Sequence, residues 1–232
     1  MKEISLNPNG RLMAVASYVR KGSAVADIGT DHAYLPIQLV GNGTVLRALA
    51  SDVVDGPLEK ARANIAAYRM TDKIEVRKAD GLAGIESFAP DDIIIAGMGG
   101  ELIARIIEDA PYTKNNKVRL ILQPMTKADV LREYLTSSGY EITDETLCKE
   151  DDRVYQIICA NYTGVPYEYT KCELLCGRHN LEKKSPLLCE HITRTSQKLN
   201  DRINGLKTSG KTAEDEEKIL CELNNYMQSL KN

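Results

Sequence analysis

Residues 24–36, with the sequence AVADIGTDHAYLP, constrain the fold of this chain more than any other stretch. The stretch opens with a short apolar run of the kind that forms a buried β-strand, and the run stops at Gly29. A polar turn of Thr30, Asp31 and His32 follows, and a helical pattern begins after it. A strand, a glycine turn and the start of a helix, in this order, predict the first unit of an open α/β sheet.

Strand and helix patterns keep alternating through the first 160 residues. The strand candidates are residues 24–28, 45–51, 74–78, 93–96, 120–123, 140–147 and 154–160, and the helix candidates are residues 10–19, 34–40, 56–68, 101–108 and 127–137. This alternation predicts an α/β fold with a Rossmann-like, mostly parallel sheet of seven strands. Only a short turn at residues 149–152 separates the last two strands, so we expect them to form an antiparallel hairpin at the sheet edge.

The pattern changes near Thr163, where Gly164 and Pro166 interrupt it and helical spacing takes over. We therefore predict a sheet domain in residues 1–163 and a helical domain in residues 164–232. One helix should span roughly residues 169–184, and two long helices should follow as an antiparallel coiled-coil pair, because a break at residues 208–210 separates them. The apolar seam of this pair is Ile192, Thr195, Leu199, Ile203 and Leu206 on one helix, and Ile219, Leu220, Leu223, Met227 and Leu230 on the other.

Composition excludes few classes of function. No apolar run approaches the ~18–20 residues that a membrane helix needs, and the start of the sequence lacks the apolar core of a secretory signal, so we expect a cytoplasmic protein without a membrane partner. The net charge is −3, but residues 165–232 carry 11 basic and 10 acidic side chains, so a nucleic-acid partner remains possible. We expect a monomer or a weak dimer.

The six cysteines include no CxxC pair. Cys172 and Cys176 stand one helical turn apart and His179 follows, which is the beginning of a metal-ligand pattern. A zinc site needs a second ligand pair, so a half-buried helix face is the favoured interpretation and we expect no metal.

Three aspartates lie at or just after the ends of the first three strand candidates: Asp27, Asp52 and Asp80, the last followed by Gly81. A single aspartate after a strand is most often a turn residue or a helix cap. Three of them at the same edge of a sheet indicate a ligand site, because ligands of open α/β sheets bind beyond the carboxyl ends of the strands. A carboxylate at the end of the second strand holds ribose hydroxyls in such sites, which suits both NAD and S-adenosylmethionine.

The first glycine turn distinguishes these two cofactors. A dinucleotide site needs the pattern GxGxxG so that backbone amides can close on a pyrophosphate, and here Gly29 has no second glycine after it. Asp31 would place a negative charge where the pyrophosphate needs positive potential. S-adenosylmethionine has no phosphate and carries a sulfonium and an ammonium group, so the acidic turn favours it.

The fourth and fifth strands end in ligand-facing sequences. The fourth ends in GMGG at residues 97–100, the GMGG segment, whose three glycines allow close approach to a ligand or, alternatively, a tight turn into the next helix. The fifth ends at Gln123, which is either a contact to a base or only the end of the strand.

The segments DIGTDHAYLP, GMGG and LILQPM, with ASD and ADGL between them, resemble the bacterial tRNA (adenine22-N1)-methyltransferases. These enzymes pair a class I methyltransferase domain with a C-terminal helical coiled-coil domain, and the resemblance spans nearly the whole chain. It implies an S-adenosylmethionine-dependent enzyme that acts on tRNA. The resemblance implies that Gly29, Asp52, Asp80 and Gly81 hold the cofactor, and it places the GMGG segment around the target adenine with Asp31, His32 and Tyr34. Together with the strand-end positions, we expect the cofactor-binding residues to be Asp27, Gly29, Asp52, Asp80, Gly81, Gly97 and Met98, the catalytic residues Asp31, His32 and Tyr34, and the substrate-binding residues Gly99, Gly100 and Gln123.

The resemblance implies transfer of a methyl group to the adenine N1. The N1 lone pair is already nucleophilic, so no strong base is needed to activate it. The enzyme would instead position the two reacting groups and stabilise the cationic product. Asp31 is the expected stabiliser; His32 and Tyr34 would orient the base, although a solvated loop histidine and a core tyrosine are the alternatives. N1 lies on the Watson–Crick edge, so the base must leave its pair.

A second surface is then needed to hold the RNA. Arg194, Lys198 and Arg202 recur every four residues and would form one basic stripe on the first long helix, or else only a solvated charged face. Two other functions stay open: a non-catalytic cofactor-binding, RNA-interacting protein, and an NAD-dependent dehydrogenase, which the missing GxGxxG disfavours.

Overall fold

The computed structural model describes residues 10–231, so residues 1–9 of the expected sheet domain and residue 232 of the helical domain lie outside the described residues. One sheet organises the first two thirds of the chain. Its strands are β1 (Ala24–Ile28), β2 (Arg47–Asp52), β3 (Ile74–Lys78), β4 (Asp92–Gly99), β5 (Arg119–Thr126), β6 (Tyr140–Glu150) and β7 (Arg153–Tyr162). Their spatial order is β3-β2-β1-β4-β5-β7-β6.

The first five strands are parallel, while β7 runs antiparallel to both β5 and β6. The predicted mostly parallel sheet with an antiparallel edge hairpin is therefore confirmed. Strands β6 and β7, with the turn that joins them, form the edge hairpin. The turn contains Asp151 in the left-handed region with φ +51°. Because β6 runs in the direction of β5, this turn lies at the same edge of the sheet as the carboxyl ends of the parallel strands.

Helices cover both faces of the sheet. They are α1 (Arg11–Ala16), α2 (Tyr34–Gly41), α3 (Asp55–Ala67), α4 (Gly100–Glu108) and α5 (Ala128–Ser137). The first three bury Val15, Leu39 and Ile65 against one face, and α4 and α5 bury Ile103 and Leu131 against the other. Strands covered on both sides must be apolar throughout, which explains the uninterrupted isoleucine run of β4.

The fourth strand is longer than its apolar run predicts. It continues through the GMGG segment as far as Gly99, and its pairing with β5 shifts register between Ala96 and Met98 and again between Met98 and Gly99. Such bulges bend a strand and redirect its side chains, and they are common next to active sites. Gly97 permits the bulge because it has φ +83°.

The described residues after β7 form four helices joined by loops, without a further strand: α6 (Lys171–Cys176), α7 (Arg178–Lys183), α8 (Leu188–Thr208) and α9 (Glu214–Lys231). The single helix expected at residues 169–184 is wrong, because Gly177, with φ +85°, divides it into α6 and α7. A Cβ at Gly177 would lie 2.6 Å from a carboxylate oxygen of Glu145, so the close approach of β6 leaves room only for glycine at this break.

The helices α8 and α9, the helical pair, pack on the edge hairpin. Ile192, Leu199 and Leu223 share a buried cluster with Leu147 of β6, and Arg202 forms an ion pair with Glu216 across the pair at 2.9 Å. The predicted seam thus forms a real core, while its supercoiling and the domain boundary at residue 163 stay predictions. Within residues 10–231, no helix combines the length and apolarity that crossing a membrane would require.

A buried ion pair joins the sheet to the C-terminal region. Arg132 of α5 and Glu145 of β6 are fully buried, and their side chains meet at 2.6 Å. Arg132 also donates to the carbonyl of Leu174 in α6 at 2.7 Å, and the backbone N–H of His179 in α7 donates to Glu145 at 3.2 Å. The sheet and the short helices therefore share one polar core.

Candidate active site

The predicted cofactor-binding and catalytic residues lie at or just after the carboxyl ends of the parallel strands, whereas the predicted RNA contacts lie on α8. In the sheet, Ile28 pairs with Ser51 and with Ile95, and Ala96 pairs with Gln123, so the ends of β1, β2, β4 and β5 lie side by side. The turns that follow these strands therefore face one common edge. This is the place where open α/β sheets bind their ligands.

Asp27 is the buried carboxylate of this edge. It is 7% exposed and accepts a hydrogen bond from the hydroxyl of Thr30 at 2.7 Å. The pKa of Asp27 is raised from its ordinary 3.8 to about 6: burial is the main cause, the Thr30 bond opposes it, and the negative charges of Asp31 and Asp52 add to it. Two further carboxylates thus act on the buried Asp27, and no cation of the described residues lowers its pKa, so the electrostatics favour a cationic ligand.

Gly29 and Met98 are brought together across the edge. Gly29 has φ +71°, and a Cβ at this position would overlap the terminal methyl group of Met98. The GMGG segment therefore lies directly against the glycine turn of β1, as a cofactor pocket shared by both would require.

The three residues predicted to be catalytic form one exposed group. The imidazole Nε2 of His32 lies 3.2 Å from a carboxylate oxygen of Asp31, and the rings of His32 and Tyr34 are 5.5 Å apart between centroids. The Asp31 side chain is 87% exposed and Tyr34 is 38% exposed. Their polar groups are thus open to a large substrate, unlike the buried Asp27.

An unusual backbone holds this group in place. His32 and Ala33 are consecutive non-glycine residues in the left-handed region, with φ +59° and +58°. Such residues cost of order 1–3 kcal/mol each and persist only where the surroundings enforce them. Asn64 of α3 provides one restraint, since its side-chain amide donates to the carbonyl of His32 at 2.9 Å. Sequence reasoning missed Asn64, because no local pattern links residues 32 positions apart.

Asp52 and Asp80 lie at the ends of β2 and β3. One oxygen of Asp52 accepts from the backbone N–H of Val54 at 2.8 Å, which fixes the carboxylate at the strand end. Asp80 and Gly81 line a cavity of about 490 Å³ together with Arg105, Ile106 and Asp109 of the α4 region. Gly81 has φ +55°, which favours glycine, and a Cβ there would lie 3.1 Å from the Ile106 side chain, which would have to shift.

The predicted substrate-binding residues at the ends of β4 and β5 are in contact with other residues of the chain. Gln123 is fully buried, and its side-chain oxygen accepts from Arg11 at 2.7 Å and from the backbone N–H of Gly97 at 3.1 Å. Gly100 is buried, and a Cβ there would lie 2.8 Å from the backbone carbonyl carbon of Lys127, while Gly99 approaches the Thr126 hydroxyl. Contact of Gly99, Gly100 and Gln123 with a substrate stays a prediction.

The basic stripe on α8 is partly neutralised. Arg194 forms an ion pair with Glu190 at 2.8 Å and donates to the backbone carbonyl of Asp152, and Arg202 is paired with Glu216. Lys198 is exposed and forms no ion pair with the residues that the structure describes. Of the three predicted RNA contacts, Lys198 is therefore the least compensated.

The described residues include no group of three or more His, Cys, Asp or Glu side chains arranged to hold a metal ion. His179 is instead bonded to the backbone carbonyl of Ile142 at 2.8 Å, and Cys176 is fully buried.

The strand order and the row of strand-end carboxylates define a Rossmann-like methyltransferase. Comparison with known proteins supports this class. Residues 25–231 match the profile of the TrmK family, described as tRNA (adenine(22)-N(1))-methyltransferase. The chain belongs to this family.

Individual relatives agree over nearly full length. The chain is similar to the tRNA (adenine(22)-N(1))-methyltransferase of Bacillus subtilis strain 168, with 34% identity over 100% of this chain and 98% of the relative. It also superposes on Streptococcus pneumoniae Sp1610, a putative tRNA (m1A22) methyltransferase in complex with S-adenosyl-L-methionine, with TM-score 0.82 and 34% identity over 92% and 97% of the two chains. M. capricolum TrmK in complex with S-adenosyl-homocysteine gives TM-score 0.81 and 25% identity over 98% and 100%.

Proposed function

We propose that this chain transfers a methyl group from S-adenosylmethionine to N1 of an adenine in tRNA, at position 22 as in its family. The observation that carries the proposal is the environment of Asp27, a buried carboxylate on which the charges of Asp31 and Asp52 act and whose pKa no cation among the described residues lowers. S-adenosylmethionine supplies an activated methyl group on a sulfonium and brings the positive charge that this cluster favours. A pyrophosphate would be repelled there.

We assign different roles to the buried and to the exposed residues of the site. Asp27 and Asp52, with the turn at Gly29, would hold the cofactor at the ends of β1 and β2. The exposed group of Asp31, His32 and Tyr34 would receive the base, with the aromatic rings against its plane. The product base is cationic, so the Asp31 carboxylate would stabilise the charge that develops during transfer.

The acceptor base must be unpaired to reach this group. Lys198 of α8, with Arg194 and Arg202 on the same helix face, is the proposed contact to the tRNA backbone. Lys198→Glu should raise the KM for tRNA several-fold and leave cofactor affinity unchanged, because phosphate contacts contribute to RNA binding alone. An unchanged KM, measured at low salt, would remove the helical pair from the RNA-binding surface.

Transfer itself is tested by incubating the full chain with unmodified tRNA and labelled S-adenosylmethionine and mapping the methylated position. Calorimetric titration with S-adenosylmethionine and with NAD should give binding of the first alone. Binding of the cofactor without methylation of any tRNA would support the non-catalytic alternative, and binding of NAD would support the dehydrogenase.

The role of Asp31 is tested by Asp31→Ala. We expect kcat to fall far more than cofactor affinity, because the carboxylate acts where charge develops in the transition state. Equal losses in both quantities would mean that Asp31 only holds the cofactor.

The remaining expectations belong to the same proposal: a cytoplasmic protein, active without a resident metal, and a monomer or weak dimer. Methyltransferase activity that survives a chelator would support the absence of a resident metal, and analytical sedimentation measures the oligomeric state.

A further inference from the structure

The bulged end of β4 has a buried polar partner. The register of β4 against β5 shifts on either side of Met98, so the backbone N–H of the exposed Gly97 takes a partner outside the regular ladder. The side-chain oxygen of Gln123 accepts this N–H at 3.1 Å. The amide of Gln123 in turn donates to the carbonyl of Pro124 at 2.9 Å, which fixes which way the side chain points.

Arg11 completes this arrangement from outside the sheet. Its Nη1 donates to the same oxygen of Gln123 at 2.7 Å. A Cβ at Gly97 would lie 3.7 Å from that nitrogen, so the guanidinium lies directly beside the bulge. Arg11 is therefore a neighbour of the GMGG segment, although 112 residues separate it from Gln123 in the sequence.

Arg11 is itself held from a third direction. Its Nε lies 3.7 Å from a carboxylate oxygen of Glu150, and its backbone N–H donates to Glu150 at 3.2 Å. The guanidinium carbon also lies 5.8 Å from the centroid of the Tyr155 ring. The edge hairpin thus fixes the arginine, which is only 22% exposed in its side chain.

We infer that Arg11 and Gln123 are positioning residues for methyl transfer: together they set the bulged conformation of the GMGG segment beside the acceptor base. This inference rests on the proposed function. The segment already lies against Gly29 through Met98, so a shift of the bulge would change the distance between the cofactor pocket and the acceptor site. Small errors in such positioning are costly in rate even where binding is intact.

A contact with the tRNA backbone is the competing role for Arg11. Such a contact needs a solvated guanidinium, whereas this one is mostly covered and is committed to Gln123 and Glu150. The two roles predict opposite kinetics. A positioning residue acts on kcat, and a phosphate contact acts on KM and on its salt dependence.

The test compares Arg11→Met, Gln123→Met and the double variant with the wild-type chain, using mapped tRNA methylation for kcat and KM and calorimetry for S-adenosylmethionine affinity. We expect each single variant to lower kcat about tenfold or more, with KM for tRNA and cofactor affinity within about twofold. The double variant should lose no more than the worse single variant, because both residues act as one unit. Arg11→Lys should recover some of the rate, since an ammonium can still donate to Gln123.

Arg20→Met is the matched control for stability. Arg20 is another partly covered arginine, with its side chain 35% exposed, and it pairs with the buried Asp92 at the opposite edge of the sheet. This variant should unfold at lower temperature yet keep the kcat of its folded fraction. Unfolding curves of all variants then separate loss of fold from loss of rate.

Three kinetic outcomes would overturn the inference without touching the proposed function. An increased KM with unchanged kcat for Arg11→Met would make Arg11 an RNA contact, and additive losses in the double variant would make the residues independent. Wild-type kinetics in Arg11→Met and Gln123→Met would leave the bulge set by the backbone alone. If the wild-type chain methylates no tRNA adenine at N1, the proposed function is wrong, and this inference, which rests on it, is wrong as well.

Discussion

Asp27 shows how a single residue can trade stability for a binding site. A carboxylate that is 7% exposed, near two others, is less stable as an anion in the folded chain than in the unfolded one. Its pKa rises from 3.8 to about 6, so the folded state binds the proton more tightly between these values. Stability from this group therefore falls as pH rises through that window, and the whole penalty is present above it.

Asp27→Asn should remove the penalty. We expect the free energy of unfolding, without cofactor, to rise by up to about 3 kcal/mol at about pH 8 and to change little at about pH 4. Affinity for S-adenosylmethionine should fall, because the neutral amide no longer favours a cation. Urea unfolding at both pH values and calorimetry measure the two effects. A stability change of equal size at both pH values would mean that charge is not its cause.

Elements of this fold meet at glycines where no side chain fits. The N-terminus of α4 begins at Gly100, which packs against the backbone of Thr126 and Lys127 where β5 leads into α5. Backbone atoms cannot rotate away as a flexible side chain can. This contact fixes where α4 leaves the bulged strand, and with it the direction of the GMGG segment.

Gly100→Ala should therefore lower the free energy of unfolding by about 1–3 kcal/mol, because the added methyl group meets backbone that cannot move aside. Gly56→Ala in α3 is the matched control: a Cβ there meets nothing within 4 Å, and the change should be neutral or should stabilise by about 0.5–1 kcal/mol. Chemical denaturation measures both. Equal effects of the two substitutions would mean that helix propensity alone decides them.

At this scale, sequence patterns predicted the order and type of the elements but not their interruptions. Apolar periodicity is local, so the strands and the long helices could be read directly from it. Gly97 at the bulge contacts Gln123, and Gly177 at the break lies against Glu145, so the partners of both interruptions are distant in the sequence. The grouping of Asp31, His32 and Tyr34 was predictable because the three lie within four consecutive residues, whereas Arg11 and Asn64 reach the site only through the tertiary fold.

Over the whole molecule, the pair of Arg132 and Glu145 joins the sheet and the C-terminal helices into a single structural unit. Burial of an ion pair is costly, and it is offset here by bonds to Leu174, Gln156 and His179 from neighbouring elements. Removing the C-terminal helices would expose this core. Variants of the full chain, rather than truncations, are therefore the appropriate tests of RNA binding.

Arg132→Met should cost about 3–5 kcal/mol of unfolding free energy, because it leaves Glu145 buried without its partner cation. Lys171→Met is the matched control, since it breaks the exposed pair with Glu133, which also joins α6 to α5 at 3.8 Å, and should change stability by less than about 1 kcal/mol. Urea unfolding measures both. Similar losses in the two variants would contradict a special role for burial.

The burial of this pair has a consequence for the history of the family. A substitution that removes only one of the two charges produces a strongly destabilised protein. Replacement of both residues by apolar residues of similar volume is tolerated far better. Homologous sequences should accordingly keep arginine and glutamate together at these two positions or exchange both, and chains that retain just one of them should be rare.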